Sequence, residues 1–448
     1  MNHRRSAIVV IVLLLILSAG CNSLSGDTSP SSPTSGTSSI PTTAERPSTE
    51  HTTNLVIETT TTDSLPVNTS RVFTRTAELL GRNVMTPDRV VVRNFTFSNL
   101  TPTTPEPFPR LLGIVPDENM YEHATGTDGY AEPSSNRIYL LVSERSTNAE
   151  IRNYLSHEYT HLVQNRIGAT DRVNRQLLAA NEQMTVRSVI EGAATFTEST
   201  YVQAYHSGSP SRFEQLRDEY RRSGPVRKLT LAPYYFGARY IRQQIGSPAD
   251  LNEVYANPPN SMEQIIHGDA PGEDPPKNLT AGFSIANGSE RSWTDSRVKG
   301  EAFVRIALGT ELSTERAARA ATGWGADRLL VSEQNNETSY AWALRWDNAT
   351  EAGEFRRAMA AYLDARGNRT DGTWRVGNST FRLANASNET IVMLAGQPGF
   401  VSNASISGVT ENITVSTNQT EPGATDQRTA TVAKAGRAKD HGEWVHSL

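Results

Sequence analysis

Between Thr147 and Gly168 the sequence TNAEIRNYLSHEYTHLVQNRIG leaves the chain little choice of local structure. Thr147 followed three residues later by Glu150 is a capping box, which starts a helix by satisfying backbone N–H groups that have no partner inside it. Ile151, Leu155, Leu162 and Ile167 then recur at helical spacing and form an apolar stripe. Gly168 can end the helix, because glycine adopts the left-handed conformation of a C-terminal cap without steric cost. Inside this segment His157 and His161 stand four residues apart, just over one turn, with Glu158 beside the first. Both imidazoles therefore project from one face. Two neutral imidazoles at that spacing can grip one Zn²⁺ ion, and the adjacent carboxylate then sits over the open coordination position. There it can take a proton from water that the metal has acidified.

This is the HExxH pattern of zinc-dependent hydrolases, and it requires a third protein ligand. The extended form HExxHxxGxxH is excluded, because Gln164 and Ile167 occupy its Gly and His positions. The better candidate is Glu191 in VIEGAATFTESTY, on a second helical run expected to start near Arg175. Gly192, Ala193 and Ala194 would let two helices approach closely. Glu198 lies seven residues on, shares the face and remains a rival; otherwise Glu182 and Glu198 read as solvated helix surface. Just before the first helix, Arg137–Val142 (RIYLLV) reads as a strand, expected at a sheet edge, where it would hold an extended substrate beside the metal.

HEYTHLVQ followed by IEGAATFTESTY resembles the HExxHxxQ…EGxA pattern of gluzincin-type, peptidase-MA-like metallopeptidases. The likeness continues through Tyr234-Tyr235-Phe236-Gly237, Pro258-Pro259-Asn260-Ser261-Met262-Glu263-Gln264-Ile265-Ile266-His267, the run from Ala320 to Arg328 (AATGWGADR), and Arg345-Trp346-Asp347. These are similar to segments of an uncharacterised bacterial and archaeal HExxH family and span about Asp128 to Leu394. The resemblance implies a zincin-like core, His157, His161 and Glu191 as zinc ligands, and Glu158 as general base. Two positions depart from it. Ala193 stands where relatives often carry Asp, which puts a partner of a ligand histidine in doubt, and Gly268 stands where they often carry Pro. Hydrolysis at zinc also needs a group for the developing oxyanion; Tyr235, Tyr234 and His267 are the candidates in the matching segments.

The termini speak to location. Arg4-Arg5 and the apolar run Ala7–Ala19 form a signal peptide over residues 1–20, too short to span a bilayer comfortably; the arginine pair leaves Sec and twin-arginine export open. Leu17-Ser18-Ala19-Gly20-Cys21 resembles a prokaryotic lipobox, and Cys21 is the sole cysteine, so internal disulfides are excluded. Residues 21–65 are read as a lipidated Ser/Thr/Pro-rich disordered stalk, anchoring an extracytoplasmic domain to the cytoplasmic membrane of a prokaryote, haloarchaea included. Asn-x-Ser/Thr sequons at Asn68, Asn94, Asn278, Asn336, Asn378 and Asn412 suit such a surface protein. A net charge of −5 over 448 residues offers no footing for nucleic acid.

Elsewhere the pattern alternates. A helix is expected at Val72–Leu80, a strand at Arg89–Arg93 and a proline-rich loop at Pro102–Pro109. Further helices are expected at Arg212–Arg222, Tyr234–Ile245, Val298–Leu308, Thr314–Ala321 and Thr350–Ala365. Strands are expected at Arg328–Glu333, Thr338–Trp346, Thr373–Val376, Phe381–Leu383 and Thr390–Leu394. The expected architecture is α+β: a metallopeptidase-like domain over 66–290, a smaller α+β lobe over 291–398, and a polar, disordered tail over 399–448 without a C-terminal membrane anchor. Two functions fit. One is a zinc peptidase acting on polypeptides, the other a surface binding or structural protein whose peptidase-like core only holds metal.

Overall fold

The computed structural model describes residues 56–59, 65–94, 107–115, 130–132, 136–142, 146–177, 182–206, 210–285, 298–334 and 337–417. The signal peptide, Cys21 and the stalk lie outside them, apart from the short strand β1 (Val56–Thr59). The fold is α+β, as expected. No helix among the described residues is long and apolar enough to cross a membrane.

A four-stranded sheet is built from β1, β2 (Arg89–Asn94), β3 (Tyr130–Glu132) and β4 (Arg137–Val142), in the order β1-β2-β4-β3. The first three in that order run parallel, and β3 is antiparallel to β4. This corrects the reading of Arg137–Val142 as the edge: that strand is interior, and β3 is the edge. The physical reason is that β3, from a segment ahead of it in the chain, pairs antiparallel on the side of β4 left free by β2. Val90, Ile138 and Leu140 are buried against α1 (Thr69–Leu79) and the histidine helix, and β1 begins in a tract read as disordered. After the short α2 (Pro107–Leu111) comes that histidine helix, α3 (Asn148–Arg166). Its capping box is formed, with Glu150 N–H donating to Thr147 Oγ1 at 3.2 Å, and Gly168 follows its end at φ +66°. Tyr159 packs edge-to-face on Phe73 with ring centroids 5.2 Å apart.

The second helical run is two helices: α4 (Ala169–Leu177) and α5 (Gln183–Tyr205). Glu182 stands at the N-terminus of α5, buried rather than solvated, with its Oε2 accepting from the backbone N–H of Met262 at 3.0 Å. Around α5 pack α6 (Arg212–Arg222) and α7 (Pro225–Gln244), followed by α8 (Leu251–Ala256) and α9 (Met262–His267). Helix α7 begins nine residues earlier than the expected Tyr234 start and carries Pro233 internally. Gly192 and Gly237 make the contact between α5 and α7: a Cβ added at Gly192 would lie 2.6 Å from the Gly237 Cα.

The C-terminal part places β5 (Thr280–Ile285), α10 (Gly300–Leu308) and α11 (Thr314–Ala321) before an antiparallel six-stranded sheet. Its strands are β6 (Trp324–Gln334), β7 (Glu337–Trp346), β8 (Asn368–Thr370), β9 (Thr373–Val376), β10 (Ser379–Asn385) and β11 (Thr390–Gly396), ordered β6-β7-β11-β10-β9-β8. Helix α12 (Ala349–Arg366) packs on this sheet. Asp327 is buried and caps the approach to α10 by accepting from the backbone of Lys299 and Gly300 and from Trp342 Nε1.

Two boundaries differ from expectation. The tail read as disordered from residue 399 holds most of α13 (Pro398–Asn403) and the hairpin β12 (Ala404–Val409) and β13 (Asn412–Thr417), which adds to β5 through a parallel pairing. Ile413 and Val415, alternating along β13, are buried and supply its adhesion. Nor is residue 290 a seam between cores. One apolar cluster runs from Val189 and Phe236 to Trp342, Phe355 and Tyr362. Phe108 on α2, from a segment read as a proline-rich loop, packs on Phe303, Tyr340 and Trp342, and Tyr362 Oη donates to the Leu112 carbonyl at 2.8 Å.

Candidate metal centre

Helix α3 presents His157 and His161 toward α5, and Glu191 comes from the facing side of α5. His157 Nε2 lies 3.1 Å from His161 Nε2, and Glu191 Oε2 lies 3.4 Å and 3.2 Å from these two nitrogens. A tetrahedral zinc ion with ligands about 2.1 Å away has ligand atoms about 3.4 Å from each other. The three edges therefore match one face of such a tetrahedron. Two imidazoles and one carboxylate are also a donor set suited to zinc.

The remaining nitrogens of the two rings are held. Gln164 Nε2 donates to the Ile190 carbonyl at 2.9 Å and to Tyr255 Oη at 3.0 Å, which turns its Oε1 toward His161 Nδ1 at 2.7 Å. A carboxamide oxygen only accepts, so His161 carries its proton on Nδ1 and aims Nε2 at the cluster. Glu198 Oε2 lies 3.3 Å from His157 Nδ1 and does the same there. Glu198 thus meets the opposite side of the ring from Glu191, so the rival is a positioning residue and Glu191 completes the triad. Such outer partners fix tautomer and ring orientation. They also answer the question raised by Ala193, because both histidines have a buried partner without an aspartate there.

The electrostatics are tightly coupled. Burial pushes His157 down, yet its contacts with Glu191 and Glu198 and the charge of Glu158 drive it up to about 10. Burial likewise opposes the charge on His161, which Glu191 raises, while burial of Glu191 is overcome by the two histidines, holding its carboxyl well below the usual range. A cation entering this cluster must displace protons, so its affinity rises with pH.

Glu158 is buried at 6% exposure, and its charge acts on both histidines and on Tyr234. Tyr234 stacks on His157, with centroids 6.1 Å apart and planes 26° from parallel, and stands beside Glu191, whose charge acts on its hydroxyl. Burial and the Glu191 charge raise it well above an ordinary phenol. Tyr235, one residue and about 100° further round α7, turns instead into a stack with Phe213 and Tyr220. His267, at the end of α9, faces Glu301 at 3.2 Å and Arg305 at 3.4 Å in a separate cluster. Of the three oxyanion candidates, the fold brings only Tyr234 to Glu191.

Sequence reasoning did not assign Gln164 and Glu198 their orienting roles. Gln164 lies three residues after His161 and Glu198 seven after Glu191, so each shares its neighbour's helix face; that spacing was the available signal.

Residues 290–404 match a family described as "Domain of unknown function (DUF8575)". The matched stretch runs from before α10 to the first residue of β12 and does not include the His157–His161–Glu191 cluster. No characterised protein and no solved structure matches the chain.

Proposed function

We propose that the chain is a zinc-dependent peptidase with a zincin-like core of the gluzincin type, acting on polypeptides outside the cytoplasmic membrane to which Cys21 tethers it. The observation that carries this reading is the convergence of His157 Nε2, His161 Nε2 and Glu191 Oε2 at tetrahedral spacing, with Glu198 and Gln164 securing the other ring nitrogens. When bound, zinc would act as a Lewis acid toward a peptide carbonyl and lower the pKa of water. The chain's own groups divide the remaining work. Glu158, adjacent to a ligand in sequence but not part of the triad, accepts the proton of the attacking water and delivers it to the leaving amine. The Tyr234 hydroxyl, held beside Glu191, donates to the oxygen that becomes negative as the carbonyl is attacked. Strand β3, the edge of this sheet among the described residues and packed near α3, is where an extended substrate would add to the sheet.

The test is Glu158→Gln. It should retain one zinc per chain and an unchanged melting curve while hydrolysis of an unfolded polypeptide falls at least about a hundredfold, the scale of general acid–base catalysis. Unchanged hydrolysis in that variant would refute the mechanism. No hydrolysis by the zinc-loaded wild type across a broad peptide library would favour the alternative of a metal-holding surface protein.

A further inference from the structure

Glu263 is 2% exposed on α9, and its carboxylate receives no hydrogen bond or ion pair among the described residues. It is not isolated. One of its oxygens lies within 4.8 Å of ligand atoms of Asp274 and Asp347, which come from the loop after α9 and from the end of β7. Asp347 Oδ1 is itself buried without a hydrogen bond, and the nearest cation is Lys277 Nζ at 3.6 Å. Three carboxylates from three separated segments thus converge with one lysine ammonium at their rim. Carboxylates this close repel one another, and a buried one such as Glu263 cannot ionise beside the other two without a counter-charge.

Glu263 also belongs to a second grouping, with His267 and Glu301. There the charges are already balanced: Arg305 Nε donates to Glu301 Oε1 at 2.8 Å and His267 lies 3.2 Å from Glu301 Oε2. The uncompensated negative charge is on the Asp274–Asp347 side. Burial, followed by the charges of Glu301, Asp347, Asp274 and Glu351, pushes Glu263 up to about 10.

We propose that Glu263, Asp274 and Asp347 form a second cation site, selective for a hard divalent ion of the Ca²⁺ type and distinct from the His157–His161–Glu191 centre. All three donors are carboxylate oxygens, with no nitrogen or sulfur ligand to favour a transition metal. Asp274 is exposed, so water can complete the six to eight oxygen contacts that Ca²⁺ takes, which the stricter octahedral demand of Mg²⁺ makes harder. The ion would tie α9 and its following loop to the end of β7. Since α9 packs on α5 and α7, it would brace the helices that carry Glu191 and Tyr234.

The test uses the full chain and Tb³⁺, whose luminescence is sensitised by a nearby indole; Trp346 is the residue before Asp347. Wild type should give a saturable Tb³⁺ signal that Ca²⁺ displaces, and Ca²⁺ should raise the melting temperature. Glu263→Gln and Asp347→Asn should each weaken Tb³⁺ binding at least about tenfold, since losing even an outer partner of a ligand costs that much. Asp274→Asn, on an exposed loop, tests the same site should the buried variants fail to fold. His157→Ala should leave the signal intact. A signal that survives Asp274→Asn and Asp347→Asn, one abolished by His157→Ala, or a melting temperature indifferent to Ca²⁺ would each overturn the proposal.

Discussion

Replacing Gly192 by Ala reverses the usual sign of a helix substitution. Inside an exposed helix, Gly→Ala stabilises by about 1 kcal/mol, because alanine loses less backbone entropy on folding. At Gly192 the added Cβ would lie 2.6 Å from Gly237 Cα and 2.8 Å from Ala238 N. Both are backbone atoms of α7, so no rotamer change can relieve the clash, and α5 and α7 must separate. Overpacking of this kind costs about 1–3 kcal/mol, and rigid backbone on both sides places this case at the upper end. Net of the propensity gain, Gly192→Ala should destabilise by about 2 kcal/mol, read as a lower denaturant midpoint with an unchanged slope. Because Glu191 precedes Gly192 and Tyr234 lies on α7, zinc affinity should fall alongside stability. Gly353→Ala on α12 is the internal control. There the Cβ meets only the flexible end of Arg357, at 3.3 Å, and the variant should gain about 0.5–1 kcal/mol. If Gly192→Ala proves as stable as wild type, the close approach of α5 and α7 is wrong.

Two further outcomes follow from the site and its surroundings. Glu191→Ala should abolish stoichiometric zinc binding, whereas Glu198→Gln should lower affinity about 10–100-fold with one ion still bound at saturation; equilibrium dialysis ranks them, and the reverse order would make Glu198 the ligand. Burial raises Glu182 to about 8 from the ordinary carboxylate value of 4.5. A raised pKa means that the folded state keeps a proton the unfolded chain has lost, so this contribution is complete below pH 4.5 and is lost as pH rises to about 8. Glu182→Gln should therefore flatten the decline in stability between those pH values, by up to about 4 kcal/mol at pH 8; identical pH profiles for the two proteins would refute the assignment.

Helix α3 and its histidine pair could be read in the chain itself, because everything that defines them acts within four residues: the Thr147–Glu150 box, the apolar stripe, the terminal Gly168 and the one-turn spacing of His157 and His161. The same holds for α6, α11 and α12, each with a capping residue just ahead of its first turn. What the tertiary structure decided depends on contacts between segments tens of residues apart. Glu191 and Glu198 share one face of α5, and only the offset of α5 against α3 sends the first to the Nε2 side of His157 and the second to Nδ1. Tyr234 reaches the cluster and Tyr235 does not because Gly192 and Gly237 let α7 approach α5 in one rotational setting. β4 became interior when β3 paired on its free side, and Glu182 was buried by Met262, eighty positions away. Local hydrogen bonding is written in neighbouring residues; the side of a ring that a carboxylate meets is set by how whole helices pack.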